Sequence, residues 1–152
     1  MGTETVSKLK TWQNNHGLEA DGICGVRTRN KMNDQGYSWD QVKHFEWGEF
    51  SCPCCGFNAI DIRLVLELEG IRSAMGDNPV IVTSGCRCSK HNKEVGGVMG
   101  SKHLTGGAAD FYIRGVSTKK VLQYCQSLVS QGRLAYTYTN STNMSGAVHI
   151  NI

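Results

Sequence analysis

Two stretches of this chain have to meet in its fold. The first is Ser101-Lys-His103-Leu-Thr-Gly106-Gly-Ala-Ala-Asp110, and the second is Ala147-Val-His149-Ile-Asn151. They set imidazoles at His103 and His149 and a carboxylate at Asp110 in apolar or glycine-rich surroundings, where an unpartnered polar group is costly. Taken alone, His103 or Asp110 reads as readily as a satisfied core or turn residue as it does a ligand. His149 tips the balance, because an imidazole inside an apolar Val-His-Ile run needs a partner. Two ring nitrogens and one carboxylate oxygen make a catalytic zinc set with a tetrahedral position left for water. The small residues from Gly106 to Ala109 are expected to let the backbone pass close to the metal and to lead into a strand at Asp110.

Three ordered motifs then carry a resemblance. Ser101, His103, Gly106, Ala108 and Asp110 follow the pattern Ser-x-His-x-x-Gly-x-Ala-x-Asp, with a Val-His strand after it. Upstream lie Val82-Thr-Ser-Gly-Cys-Arg87-Cys-Ser-Lys-His91-Asn92 and Val95-Gly-Gly-Val98. Together they resemble the zinc D-Ala-D-Ala carboxypeptidase family over about residues 44 to 152. The resemblance implies a zinc metallopeptidase that cuts peptidoglycan stem peptides, as carboxypeptidase, endopeptidase or phage endolysin. It also implies zinc on His103, Asp110 and His149, activating a water toward the peptide carbonyl, with Arg87 near the substrate. A planar guanidinium suits that place, because it holds a carboxylate through two parallel hydrogen bonds. Ser101 either contacts substrate or caps its turn.

The chain departs from the family pattern at the general base. Members resembling it carry Glu or Asp three residues before the last histidine, where this chain has Gly146, or Asp two residues after it, where this chain has Asn151. An amide does not take up a proton usefully, and a positioned base is worth ~10²–10⁴-fold in rate. Glu94 or Asp61 brought in by folding would replace it, and Asn151 has an alternative role in orienting His149. The rival reading is a zinc-containing, catalytically impaired wall-binding module.

The first forty residues read as a separate helical unit. Val6, Leu9 and Trp12 share one helix face, closed by a glycine C-cap at Gly17. A turn-rich loop and a short helix over 28–32 follow. Gln13, Gly17, Leu18, Asp21, Gly22, Ile23, Gly25 and Thr28 resemble the second half of a three-helix peptidoglycan-binding domain. The boundary is set in the polar connector 33–38, giving units 1–38 and 39–152. In the second unit, apolar spacing predicts helices over 61–75 and from Ser117 to Gly132, with strands at 79–83, 108–113, 134–139 and 147–152. The fold class is α+β: a small, mostly antiparallel sheet with flanking helices, of the hedgehog and DD-peptidase kind, plus the helical N-terminal unit.

Seven cysteines, Cys24, Cys52, Cys54, Cys55, Cys86, Cys88 and Cys125, need an account. Free thiols packed as small hydrophobes, or one disulfide, are preferred over a second, structural zinc site, because the spacing is not a doubled Cys-x-x-Cys. Composition excludes other classes. A net charge of +3 is too weak for nucleic acid. No apolar run reaches the ~20 residues of a membrane span, and the start of the chain shows no signal peptide. The expected protein is a monomer acting on peptidoglycan peptide at the bacterial wall, phage-encoded or a fragment.

Overall fold

The computed structural model describes residues 3–15, 17–23, 25, 27, 28, 31, 37–140 and 142–152. The chain divides into two compact units, Met1–Ser38 and Trp39–Ile152. Cys24 and most of the expected helix 28–32 lie outside the described residues.

The first unit is organised around a polar side chain. Helix α1 (Thr3–Asn15) ends at Gly17, whose φ of 68° is open to glycine and strained for others. Val6, Leu9 and Trp12 are only half-buried, whereas Gln13 is 1% exposed. Its amide donates to Asp21 Oδ1, the Ile23 carbonyl and Thr28 Oγ1, and its oxygen accepts from Gly22 N–H. One glutamine thus satisfies the loop that would otherwise leave buried polar groups unpaired. Most of the residues that carry the peptidoglycan-binding likeness are partners in this network.

The second unit is a four-stranded antiparallel sheet backed by helices. Its strands are β1 (Val80–Ser84), β2 (Ala108–Ile113), β3 (Tyr136–Thr139) and β4 (Val148–Asn151), in spatial order β1-β2-β4-β3. Helix α2 (Ile62–Ala74) is capped by the Asp61 carboxylate, and α4 (Thr118–Ser130) by the Ser117 hydroxyl, as hydroxyl and carboxylate residues do at helix starts. Between β1 and β2 run a short helix α3 (Ser89–Glu94) and a 3-10 turn, Lys102–Leu104. The fold class is the expected α+β, and β2 has the expected bounds. Helix α2 buries Ile62, Leu64, Val65, Leu68 and Ile71.

Strand alternation divides the sheet's two faces. Ala109, Phe111 and Ile113 of β2, with Val148 and Ile150 of β4, are buried on the face that α2 and α4 cover. Phe111 is 0% exposed, and cutting it to alanine would cost about 3–5 kcal/mol. Asp110, His149 and Asn151 therefore fall on the other face. No helix among the described residues is long and apolar enough to cross a membrane.

Candidate metal centre

Pairing register assembles the site. Ser84 of β1 lies opposite Asp110 of β2, Asp110 opposite His149 of β4, and His149 opposite Tyr138 of β3. Directly opposed residues point to the same face, so these four side chains form a row across the sheet. A register irregularity between Val82 and Ser84 brings Ser84, rather than its neighbour, into line.

His103 arrives from outside the sheet. Its 3-10 turn is capped by Ser101, whose Oγ accepts from His103 N–H at 3.4 Å. The turn then meets β2 through Gly106, with φ of +80°. A Cβ there would lie 1.8 Å from the Ala59 carbonyl oxygen, so no larger residue fits. This corrects the expectation that the small residues make room beside a metal: Gly106 makes room for the backbone of Ala59. Gly97 serves the same end nearby, since its Cβ would collide with the side chain of buried Asn92.

The three side chains converge. One ligand atom each from His103, Asp110 and His149 lies within 4.8 Å of the others. Asp110 Oδ1 is 2.7 Å from His149 Nδ1 and 3.4 Å from His103 Nε2. His103 Nδ1 is 2.6 Å from the Gly85 carbonyl, which accepts only, so that nitrogen carries a proton and Nε2 is the atom left to face Asp110. On His149 the roles reverse: Nδ1 faces the carboxylate and Nε2 lies 3.2 Å from the Asn151 amide. All three residues are buried. Burial works against the charge on Asp110, but hydrogen bonds from His103 and His149 outweigh it and hold the carboxyl well below its usual range. A donor set of two imidazoles and a carboxylate, converging in a buried pocket and each braced from behind, fits zinc.

Arg87 is nearer to the centre than a substrate-only role requires. Its Nη2 donates to Asp110 Oδ2 at 2.7 Å, and its Nε donates to Ser84 Oγ at 2.8 Å. Both carboxylate oxygens of Asp110 are thus engaged. Of the two expected replacements for the base, Asp61 is ion-paired with Arg63, and Glu94 lies exposed beside His91. Gly146 sits in a tight turn at φ 87°, its carbonyl accepting from Thr118 Oγ1.

Sequence reasoning missed two members of the row. Ser84 anchors Arg87, and Tyr138 lays its ring 4.9 Å from His149 with Tyr136 5.6 Å further along. Burial and the Asp110 charge push the Tyr138 hydroxyl upward, so it stays protonated at neutral pH. The Tyr-Thr-Tyr-Thr alternation of β3 was the available signal, since it puts both rings on one face.

Comparison with known proteins now bears on this arrangement. Residues 43–145 match the family model described as Peptidase M15. The chain belongs to the peptidase M15 family. Residues 1–32 match a second model, "Putative peptidoglycan binding domain". A curated relative, the zinc D-Ala-D-Ala carboxypeptidase of Streptomyces albus G, is 31% identical over 121 residues. The aligned region is 72% of this chain and 47% of the relative, so the chain spans about half that protein's length.

Proposed function

We propose that this chain is a zinc peptidase of peptidoglycan stem peptides, with His103, Asp110 and His149 as its metal ligands. The observation that carries this reading is the cross-strand pair Asp110–His149 with His103 Nε2 turned toward the same carboxylate oxygen. The family, and the zinc and D-Ala-D-Ala named for the relative, support the same chemistry. When bound, zinc supplies Lewis-acid chemistry, acidifying water and polarising a carbonyl.

The chain's own groups do the rest. Gly85 O fixes the His103 tautomer. For His149 to offer Nδ1 as a lone pair, its proton must sit on Nε2, and Asn151 must turn its amide so that Oδ1 accepts it. Arg87 positions Asp110 through one Nη2 hydrogen and keeps further N–H donors for a substrate carboxylate or carbonyl. Ser101 accepts from His103 N–H, and its own hydroxyl hydrogen remains to meet the substrate. Tyr138 and Tyr136, both partly exposed, form an aromatic shelf beside the centre. The N-terminal unit, matching a peptidoglycan-binding model, would hold the protein at the wall.

A second reading has a specific observation behind it. Gly146 and Asn151 leave the two positions expected for a base without a carboxylate, which favours a zinc-containing wall-binding module with impaired catalysis. Zinc-loaded wild type and His149→Ala, incubated with wall fragments, separate the two. Release of D-Ala or cut stem peptides by wild type alone supports the peptidase. Wall binding with no release by either protein supports the module, and absence of zinc from both overturns each reading.

A further inference from the structure

A second group of metal-ligating atoms lies away from the sheet row. Cys52, Cys54, Cys55 and Cys88 bring their sulfurs within 4.8 Å of one another. Cys54 Sγ is 3.6 Å from Cys52 Sγ and 3.2 Å from Cys88 Sγ. A tetrahedral zinc with Zn–S bonds of about 2.3 Å sets its sulfurs about 3.8 Å apart. Both observed spacings fall somewhat below that figure and well above the S–S bond of a disulfide, about 2.05 Å. No disulfide is present among the described cysteines.

The cluster does not behave as packed hydrophobic thiols. Cys54 and Cys55 are exposed and Cys88 is half-buried, whereas Cys86 and Cys125 are fully buried. Cys86 belongs to the core: its sulfur accepts from Ala59 N–H at 3.1 Å and takes no part in the cluster. Burial pushes the Cys125 thiol up to about 12, so it stays neutral. The backbone around the four clustered sulfurs is arranged to hold charge. Cys88 N–H donates to Cys52 Sγ and His91 N–H to Cys88 Sγ, both at 3.4 Å. Cys52 and Cys55 are separated by two residues, and their turn closes through Gly56 N–H on the Cys52 carbonyl at 2.8 Å. Gly56 adopts φ 72°, which carries the chain back on itself.

We infer that Cys52, Cys54, Cys55 and Cys88 form a four-thiolate structural zinc site, distinct from the His103–Asp110–His149 centre. The site ties the segment 52–55 to the loop that leaves β1. Arg87 stands immediately before Cys88, so a metal there fixes the residue that braces Asp110. Neighbouring contacts support the same junction: Cys86 N–H donates to the Phe50 carbonyl at 2.7 Å, and Gly85 packs directly on the Phe50 backbone. Arg87 is in this sense a positioned residue, held by a clamp on one side and by Ser84 on the other.

This inference does not depend on the peptidase reading. The full chain is purified anaerobically, its metal is counted, and zinc is exchanged for cobalt(II). We expect about two zinc ions per wild-type chain and about one in His149→Ala. We also expect the cobalt spectrum of both proteins to show the sulfur-to-metal charge-transfer band of thiolate ligation. Cys54→Ser, at an exposed position, should lose that band and about one zinc while wild-type circular dichroism is kept. Alkylation of unmutated protein gives a check free of folding effects, because four thiols should become reactive only after a chelator is added. A cobalt spectrum without the thiolate band, alkylation of Cys52, Cys54, Cys55 and Cys88 without chelator, or a Cys54–Cys88 disulfide in the native protein would overturn the site.

Discussion

The two candidate metal-holding clusters of the second unit are built in opposite ways. His103, Asp110 and His149 are buried, and two of them are cross-strand partners whose meeting is set by sheet register. The cysteines stand on loops and a helix start, two of them exposed, and local turns bring three of the four together. A group placed by register is positioned by every pair in the ladder, so its geometry is shared with the core. A group placed by a loop depends on the few bonds of that loop. The difference suits a reactive centre in the first case and a fastener in the second, since chemistry needs preorganisation and a fastener needs only closure.

Substitutions at the sheet row test how far register governs the centre. The largest effect is expected from Asp110→Ala, which removes the residue touching both imidazoles and Arg87. Zinc at the centre and peptide release should both be abolished, read by metal analysis and a D-Ala assay. Arg87→Lys keeps the charge but loses the planar fork. It should lower activity by about 10–100-fold, the usual cost of disturbing a group that orients a ligand; unchanged activity would remove Arg87 from that role. Asn151→Asp accepts a hydrogen bond from His149 Nε2–H without any amide rotation. It should tighten zinc binding by up to about 10-fold, with Asn151→Ala moving the opposite way, both by competition with a chelator.

Stability gives the smaller effects. Gly146→Glu would restore a carboxylate at the position the family pattern expects. At φ 87° a side chain costs about 1 kcal/mol, so the variant should unfold at lower denaturant concentration whatever its rate. Glu69 accepts from Lys43 N–H and His44 N–H and faces His44 Nδ1. Burial alone would raise its pKa, but the His44 side chain and these amides hold it below the usual value. Because the folded value is depressed, its contribution is present above the unfolded glutamate pKa and is lost as pH falls through the folded one. Glu69→Gln should therefore flatten the acid limb of the stability profile, measured by urea unfolding from neutral pH downward.

Where the sequence was legible, short-range chemistry explains why. Ser117 and Asp61 announce helix starts, and Gly17, Gly76 and Gly132 stand at helix ends with positive φ. Asp110 and His149 were readable because a charged or titratable group in an apolar strand demands a partner. Arg87 was legible as a functional group, but its pairing with Asp110 was not, because it depends on a loop that turns back over β2. Ser84 and Tyr138 gave no signal of their own; their role follows from register, which no single segment records. The approach of the four cysteines was not legible because spacing along the chain separates Cys88 from the other three, while the loop between β1 and α3 closes that gap. Cys86, one residue from Arg87, lies outside the group because its sulfur faces Ala59 N–H in the core.

The order of the sheet has one further consequence. Strand β4 follows β3 in the chain yet lies between β2 and β3, and it carries His149. Until that strand inserts, β3 has no neighbour, Tyr138 has nothing to lean on, and Asp110 lacks its nearest imidazole. Completion of the sheet and completion of the candidate centre are one event, because the pairings that set the strand order are the ones that bring His149 to Asp110.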